Sequence, residues 1–166
     1  MPQLQPVFEQ HDNPIDLVEE LAHQHDWIFD RSSDDELSLS IEGRWSDYHV
    51  SFNWREDLEG LHLACTFDVR VPLNRRGAVS ELVTLINERL WSGHFDLWKR
   101  EGTVLFRNTL LLAGLARANT AQCSALLDAA LDACERYYPA FQFVMWAGRS
   151  AEEAIDAVSL ETQGEA

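Results

Sequence analysis

Apolar and polar side chains alternate with a period of two between residues 26 and 71, which is the pattern of half-buried β-strands. The clearest segment reads DYHVSFNWRED at 47–57, and its large apolar residues take every second position: Tyr48, Val50, Phe52 and Trp54. The residues between them, His49, Ser51 and Asn53, are polar. This alternation predicts an antiparallel meander with one buried face and one face in water.

Three strands are predicted in this region, centred on 37–41, 48–54 and 61–69, and residues 26–30 are a candidate for a further short strand. The clusters RSSDDE and REDLEG lie between strands and are rich in residues that favour turns. Because the alternation persists through the longer strands, each of them should bury only one of its faces.

The predicted helices show a different period, since apolar residues recur there every three or four positions. Asn13 can cap the first helix, with a proline at the next position. The second helix carries an apolar stripe of Val79, Leu82, Val83, Ile86 and Leu90. A third helix is predicted over 120–138, where Pro139 should stop or bend it. The last helix starts at Ser150, and Glu153 stands at the spacing of a capping box.

Residues 93–112, between the second and third helices, predict a second hairpin with its turn at 99–102. Leu97 and Trp98 are both apolar, so the pattern leaves open which of them faces inward. The order of elements predicts an α+β domain, namely a twisted antiparallel sheet of about five strands with helices packed on one face.

The chain divides into three predicted parts. Residues 1–12 form an irregular N-terminal arm, because they lack periodicity and contain two prolines. Residues 13–158 form a single domain without an internal repeat or a low-complexity linker. Residues 159–166 form a C-terminal tail that should fray.

The balance of charges limits the classes of partner. The chain of 166 residues has 28 Asp and Glu against 13 Lys and Arg, which gives a formal charge of -15. Such an acidic protein repels a phosphate backbone, so nucleic acid is not an expected partner. The chain has neither a signal-peptide pattern nor a run of about 18 apolar residues. We therefore expect a soluble cytoplasmic protein that binds proteins or small molecules, with no membrane partner.

The three cysteines do not form a recognisable chemical motif. Cys65, Cys123 and Cys134 are scattered and odd in number, which fits neither a disulfide framework nor a CxxC redox or zinc pair. Each of them is in phase with the apolar residues of a predicted strand or helix. The pattern therefore predicts buried, unreactive thiols.

Three segments carry a family resemblance. They read LINERLWSGHFDLW at 85–98, EGTVLFRNTLLL at 101–112 and YYPAFQFVMWAGRSAEEAI at 137–155. Together with the order of elements, they resemble the YbjN-type family of bacterial sensory transduction regulators, whose fold is like that of type III secretion chaperones. The resemblance implies a non-enzymatic domain that forms dimers. The more distant chaperones are small acidic dimers that hold an extended segment of a client protein.

One group of polar residues on the predicted sheet contains the residue types of a hydrolytic triad. The group consists of His49, Ser51 and Asn53 beside His62, Thr66 and Asp68. A triad needs a nucleophile at a strained turn and backbone donors for the oxyanion, and the chain has no GxSxG elbow. We therefore favour a solvated or partner-covered sheet face, and we predict no catalytic residue.

Two other clusters combine residues with binding chemistry. His23, His25 and Asp26 have the residue types of a metal site. However, residues two apart on a helix do not share a face, so we interpret these residues as the C-terminal turn of the first helix, where histidine interacts favourably with the helix dipole. Arg75 and Arg76 precede a helix, where an anion can bind, but no Gly-rich cradle accompanies them. We expect both arginines to be solvated, and we predict no metal and no other cofactor.

The tryptophans suggest an interface. Trp91 and Trp98 flank Phe95 at the junction between the second helix and the second hairpin. Aromatic side chains are enriched at the centres of protein interfaces. We therefore predict a dimer or partner interface around residues 79–98, formed by Val79, Val83, Ile86, Trp91, Phe95 and Trp98.

Two functions are consistent with these patterns. The acidity, the aromatic residues and the missing catalytic motifs favour a non-enzymatic protein-binding regulator or chaperone-like module that acts as a homodimer. The alternative is a small-molecule sensor or enzyme with a pocket between the sheet and the C-terminal helix. Tyr137, Tyr138 and Trp146, near Arg149, suggest that alternative.

Overall fold

A computed structural model of the chain describes residues 12–164, and the burial of side chains up to Leu160. The strands are β1 (Ile28–Ser33), β2 (Glu36–Glu42), β3 (Asp47–Arg55), β4 (Gly60–Arg70), β5 (His94–Trp98) and β6 (Thr103–Leu111). The helices are α1 (Pro14–Gln24), α2 (Arg76–Asn87), α3 (Thr120–Met145) and α4 (Ala151–Gly164). The strands form one antiparallel sheet in the order β1-β2-β3-β4-β6-β5. The α+β class is confirmed, with six strands among the described residues instead of about five.

The apolar residues of the strands point to the side of the sheet that the helices cover. In β3 the large apolar side chains are buried while the polar ones between them are exposed or half-buried. α1 packs on β1, β2 and β3, α3 packs on β4 and β6, and α2 packs on β5. α4 packs on α2 and α3. Burying each large apolar side chain contributes about 1.5–3 kcal/mol, so this covered face supplies most of the stabilisation.

Two predicted helix caps are confirmed. Asn13 Oδ1 accepts a hydrogen bond from the backbone N–H of Ile15 at 3.0 Å. Ser150 Oγ accepts one from the backbone N–H of Glu153 at 3.1 Å. Each cap satisfies an N–H group that the first turn of a helix leaves without an internal partner.

The first strand differs from its prediction. It begins at Ile28 and continues through Ser33, where the pattern had placed a turn. Arg31 accounts for the difference, because its guanidinium contacts the carboxylates of Asp16 at 2.8 Å and Glu19 at 2.6 Å on α1. The same side chain donates to the backbone of the following turn. These contacts hold the polar end of β1 in an extended conformation beside the helix.

Pro139 is predicted to stop or bend the third helix. The stop is wrong, because α3 continues to Met145. Proline removes one intrahelical hydrogen bond, and packing on both sides compensates for that loss. The ring of Phe67 on β4 contacts Tyr138 before the proline and Phe141 after it, at centroid distances of 5.2 and 5.5 Å. Both halves of the helix are therefore held on the same core.

The ends of the chain are only partly described. The predicted arm at 1–12 lies outside the described residues except for Asp12, whose carboxylate pairs with Arg117 at 3.3 Å. At the other end, α4 extends to Gly164, so residues 159–164 are helical, and the predicted fraying of the tail at 159–166 stays a prediction.

The edge strand β5 is tied to the helix that precedes it. The Asn87 side chain at the end of α2 accepts from the Phe95 N–H at 2.8 Å and donates to the Phe95 carbonyl at 3.0 Å. Gly93 lies between them with a φ of 73°, and a Cβ there would collide with the ring of Phe106. The asparagine therefore occupies the two backbone groups of Phe95, which another strand would use to pair with this edge.

The three cysteines are buried, as predicted. Cys65 on β4 and Cys134 on α3 place their Sγ atoms 3.7 Å apart as free thiols. Burial raises the pKa of the Cys123 thiol from 9.0 to about 11. The Cys123 thiol is therefore uncharged at neutral pH. The predicted lack of reactivity of the three thiols stays a prediction.

The turn between β2 and β3 is closely packed against α3. The backbone N–H of Arg44 donates to the Glu135 carboxylate at 2.6 Å. Gly43 precedes it, and a Cβ at Gly43 would collide with the Tyr48 ring and the same carboxylate. By contrast, a Cβ at Gly77 in α2 would meet no atom within 4 Å.

Replacing the two glycines by alanine should therefore have opposite effects. Gly43→Ala forces Tyr48 or Glu135 to move and should lower the free energy of unfolding by about 1–3 kcal/mol. Gly77→Ala restricts the unfolded chain without a collision and should raise it by about 0.4–1 kcal/mol. Urea unfolding followed by circular dichroism measures both. Equal effects of the two substitutions would contradict the packing described for Gly43.

Stability should also fall in alkaline solution because of Cys123. Its thiol ionises near pH 9.0 in the unfolded chain but only near pH 11 in the folded one, so the unfolded state gains as pH rises through this interval. The free energy of unfolding should therefore decrease between these two pH values. Cys123→Ala removes the group and should make the decrease smaller. An identical decrease in the variant would show that this thiol is not responsible.

Candidate functional site

The sheet has one face that the described helices leave uncovered, and we call it the open face. The strand register arranges its side chains in rows that cross the sheet. One row runs from β1 to β5 through Ile28, Ser40, His49, Thr66, Leu105 and Asp96. The next row runs through Asp30, Ser38, Ser51, Ala64, Arg107 and His94. The predicted polar face of the meander is thus one part of a surface that spans all six strands.

The middle of the open face consists of short side chains. Ser51 lies between Ser38 on β2 and Ala64 on β4, and each of these residues is exposed or half-buried. Leu105 on β6 is an exception, because it is only 2% exposed although it faces this side. Short polar side chains make this part of the surface flat, and they present hydroxyl groups rather than a deep cavity.

A cluster of charged and titratable groups lies at the β5 end of the open face. Arg107 Nε donates to His62 Nε2 at 3.2 Å, and the Arg107 guanidinium lies 3.4 Å from the Asp96 carboxylate. His94 Nε2 is 3.3 Å from the same carboxylate. The cluster joins β4, β6 and β5. The sequence did not predict it, because β4 pairs with β6 and not with β5, which is the next strand in the chain.

The protonation of His62 follows from this geometry. Its Nε2 accepts a hydrogen bond, so the neutral ring carries its proton on Nδ1. Burial lowers the pKa of His62, and the positive charges of Arg107 and His94 lower it further. The neutral form is therefore the form that the fold favours.

Two shallow depressions lie on the open face. The larger, of about 620 Å³, is lined by residues that include His49, Thr66, Asp68 and Arg100. The other, of about 350 Å³, lies over the cluster and is lined by residues that include His62 and Arg107. Both are lined mainly by exposed or half-buried side chains. A small-molecule site usually encloses its ligand much more deeply.

The geometry does not assemble a hydrolytic site from the polar strand residues. Ser51 is in the middle of β3, and its direct neighbours across the sheet are Ser38 and Ala64. His49 instead faces Ser40 and Thr66. A histidine that acts as general base must form a hydrogen bond with the nucleophile. Over residues 12–164, no hydrogen bond joins Ser51 to a histidine.

The other predicted clusters have structural contacts. The His23 ring contacts Phe29 edge-on at 5.0 Å, and the His25 ring stacks on Trp27 at 4.4 Å. In the part of the chain that the structure describes, no group of three or more His, Cys, Asp or Glu side chains is arranged to hold a metal ion. The histidines thus take part in aromatic contacts at the end of α1.

The expectation that Arg75 and Arg76 are solvated is wrong. Arg75 is half-buried and donates to the carbonyls of Val144 at 2.7 Å and Arg149 at 2.9 Å. Arg76 donates to the carbonyls of Val71 and Lys99. Arg75 therefore joins the start of α2 to the C-terminal end of α3 and the loop after it, and Arg76 joins the end of β4 to the turn between β5 and β6, because carbonyl groups at helix ends and turns need donors.

The six residues of the predicted interface fall into two groups. Val79, Ile86 and Phe95 are fully buried inside the subunit, and Val83 is 9% exposed. These four belong to the core, so in the folded subunit they have almost no surface left for a partner. Trp91 is fully exposed and Trp98 is 49% exposed. The interface stays a prediction, and it narrows to these two tryptophans and their surroundings.

The residues that suggested a small-molecule pocket do not converge on one. Tyr137 and Tyr138 are buried in the core, whereas Trp146 is 60% exposed. Arg149 is exposed and pairs with Glu153 at 3.1 Å within the same segment. α4 packs mainly on α2 and α3, so helices rather than the sheet are its main neighbours. Within the described chain, no helix is both long and apolar enough to cross a membrane.

Comparisons with known proteins support the same fold. The sequence matches the YbjN family, described as "Putative bacterial sensory transduction regulator", over residues 14–143. A chain in the crystal structure of the ExsC-ExsE complex is similar with a TM-score of 0.52 and 20% identity, covering 73% of this chain and 90% of that chain. YbjN from E. coli, a "putative transcription regulator", has a TM-score of 0.50 and 10% identity, covering 91% and 92%. No curated protein sequence matches the chain.

The cluster on the open face has a measurable signature in the titration of His62. Its midpoint, followed by NMR, should lie below the ordinary 6.5, so the stability that the neutral ring provides is lost as pH falls below that value. Arg107→Gln should raise the midpoint without restoring it fully, because burial is the larger cause. Arg55→Gln, on the same face but paired with Asp57, should leave it unchanged. A midpoint at or above 6.5 in the unmodified protein would contradict the described contacts.

Proposed function

The chain belongs to the YbjN family, and from this we propose that it is a non-enzymatic protein-binding module that acts as a homodimer in the bacterial cytoplasm. Its partner is a polypeptide that binds on the open face of the sheet. The open face itself carries the proposal: six strands present a broad polar surface that the described helices leave uncovered.

The shape of the open face suits a polypeptide better than a small molecule. Its middle rows contain short side chains such as Ser38, Ser51 and Ala64, so an extended chain can approach closely without displacing large groups. Donors and acceptors at the rim, including Arg107 and Asp96, can bond to peptide groups and polar side chains. Binding at an interface of this kind depends on the buried surface area and on hydrogen bonds, and it needs no deep cavity.

The β5 edge of the sheet is less suitable for the same partner. A peptide that adds a strand to a sheet needs unpaired backbone N–H and C=O groups at the edge. At β5 the Asn87 side chain already bonds to both groups of Phe95. This contact favours binding across the face over strand addition at β5.

A structural neighbour adds support for a protein partner. The chain from the ExsC-ExsE crystal structure has a similar fold, and that structure is a complex of two proteins. The likeness is one of fold, and from it we infer the class of partner only. The formal charge of -15 further supports a protein partner over nucleic acid.

An affinity capture experiment tests the binding face. The unmodified protein should retain one or more proteins from a lysate of its native bacterium, and mass spectrometry identifies them. Ser51→Arg places a long charged side chain in the middle of the open face and should abolish that retention. Thr84→Arg makes a similar change at an exposed position on α2, on the helical side, and should leave retention unchanged.

The outcomes separate the proposal from its alternatives. If Thr84→Arg no longer captures these proteins and Ser51→Arg still does, the binding surface lies on the helices instead of the open face. Capture of nothing but the protein itself, under several growth conditions, would count against a protein-binding function. Both variants should first show the circular dichroism spectrum of the unmodified protein.

A further inference from the structure

One row of the open face carries opposite charges at its two ends. The row starts at Asp30 on β1 and reaches Arg107 on β6, and the residues between them are Ser38, Ser51 and Ala64. We call these five residues the charged row. Asp30 is exposed and Arg107 is half-buried. The charged row is thus a strip of small side chains between a carboxylate and a guanidinium group.

The acidic end of the charged row belongs to a larger acidic region. Four exposed carboxylates lie on the open side of β1, β2 and β3, namely Asp30, Glu36, Glu42 and Asp47. Between residues 12 and 164 none of the four forms an ion pair, and Arg55 on the same side is paired with Asp57. Glu42 and Asp47 are direct register partners, an arrangement in which like charges repel. A cation supplied by a partner would relieve this repulsion.

The basic end of the charged row has unused hydrogen-bond donors. Arg107 donates through Nε to His62 at 3.2 Å and through Nη1 to Asp96 at 3.4 Å. A guanidinium group has more N–H donors than these two contacts use. The Nη2 atom makes no hydrogen bond within the described residues, and Arg107 lines the depression of about 350 Å³. It can therefore bind a further acceptor, and a carboxylate gives the strongest such bond.

The overall charge of the open face limits what can cover it. Its strands present six carboxylates and three guanidinium groups on this side, so the face is negative. A second copy of the chain would bring the same excess of negative charge, and nucleic acid or an anionic membrane would also be repelled. The described residues contain no cluster able to hold a metal ion. A polypeptide segment with basic side chains is the occupant that fits.

We propose that the polypeptide partner carries basic and acidic residues at a spacing that matches the charged row. The proposal rests on the protein-binding function proposed above and names the chemistry of the partner. The partner segment crosses the strands in an extended conformation. Its lysine or arginine side chains lie at Asp30 and the neighbouring carboxylates, and an aspartate or glutamate pairs with Arg107. Small or polar residues lie over the middle of the row.

The geometry of the sheet sets this spacing. Asp30 and Arg107 are separated by four strand-to-strand steps in the order β1-β2-β3-β4-β6. Neighbouring strands are about 4.8 Å apart, so the two charges are about 19 Å apart along the sheet. An extended chain advances about 3.3 Å per residue, which places the basic and acidic residues of the partner about six positions apart. Residues separated by an even number of positions point to the same side of an extended chain, so both can face the sheet.

Synthetic peptides test this charge pattern. The first peptide has two adjacent lysines and a glutamate about six positions away, in a background of serine and threonine. In the second peptide, glutamates replace both lysines. The third has the composition of the first, but its glutamate is next to the lysines. NMR titration of the unmodified protein, followed at the amide signals of Ser51 and Ala64, gives each dissociation constant.

The first peptide should bind at least about fivefold more tightly than the other two, because only its charges meet opposite charges at both ends of the row. Asp30→Lys and Arg107→Gln should each weaken its binding by at least about threefold. Asp128→Lys and Arg136→Gln make the same substitutions at exposed positions of α3, on the helical side, and should leave the dissociation constant unchanged. Circular dichroism should show that all four variants are folded.

Several outcomes would overturn the proposal. They are absence of binding, equal binding of the three peptides, and equal effects of the variants on the two sides of the protein. Open-face signals that broaden with protein concentration in the absence of peptide would identify a second copy as the occupant instead.

The peptides also separate this proposal from the proposed function. If the first peptide does not bind while the open face still captures proteins from a lysate, protein binding stands and the charge pattern is wrong. If the first peptide binds as predicted and no protein is captured, the charge pattern stands and the proposed protein-binding function fails.

Discussion

The side chains of a β-strand point alternately to its two faces, and this constraint organises the whole molecule. Because the longer strands carry apolar residues at every second position, their register collects these residues on one side of the sheet. The helices cover that side and form the core. The polar residues necessarily collect on the other side, so the same alternation that stabilises the fold creates the open face. Any change of register by one residue would exchange the two faces.

The polar groups of the open face are arranged so that the surface is stable in water and suits the proposed polypeptide partner. Its centre has short side chains, and its charged residues near β5 contact one another, as Arg107 does with Asp96 and His62. Such contacts hold the side chains in defined positions before a partner binds. The loss of side-chain conformational entropy on binding is therefore smaller. Closure of the β5 edge by Asn87 has a complementary effect, since it discourages unspecific strand pairing.

Much of this fold follows from local patterns, whereas the site depends on contacts that no local pattern contains. Asn13 and Ser150 cap their helices as predicted because a cap needs only neighbouring residues. The apolar stripe of α2 was recognised, but periodicity does not tell whether a stripe meets its own sheet or another subunit, so Ile86 was assigned to an interface and lies in the core. The cluster around Arg107 was missed because it requires the pairing of strands that are distant in the chain.

The central claim is that a polypeptide partner covers the open face, and chemical modification of histidine tests it most directly. His49 and His94 are exposed on the open face, and His23 and His25 are exposed at the end of α1. Diethyl pyrocarbonate labelling, measured by mass spectrometry with and without the captured partner, reports on both regions in one experiment. The account predicts that the partner protects His49 and His94 and leaves His23 and His25 reactive. Unchanged labelling at His49 and His94, or protection of His23 and His25 instead, would contradict it.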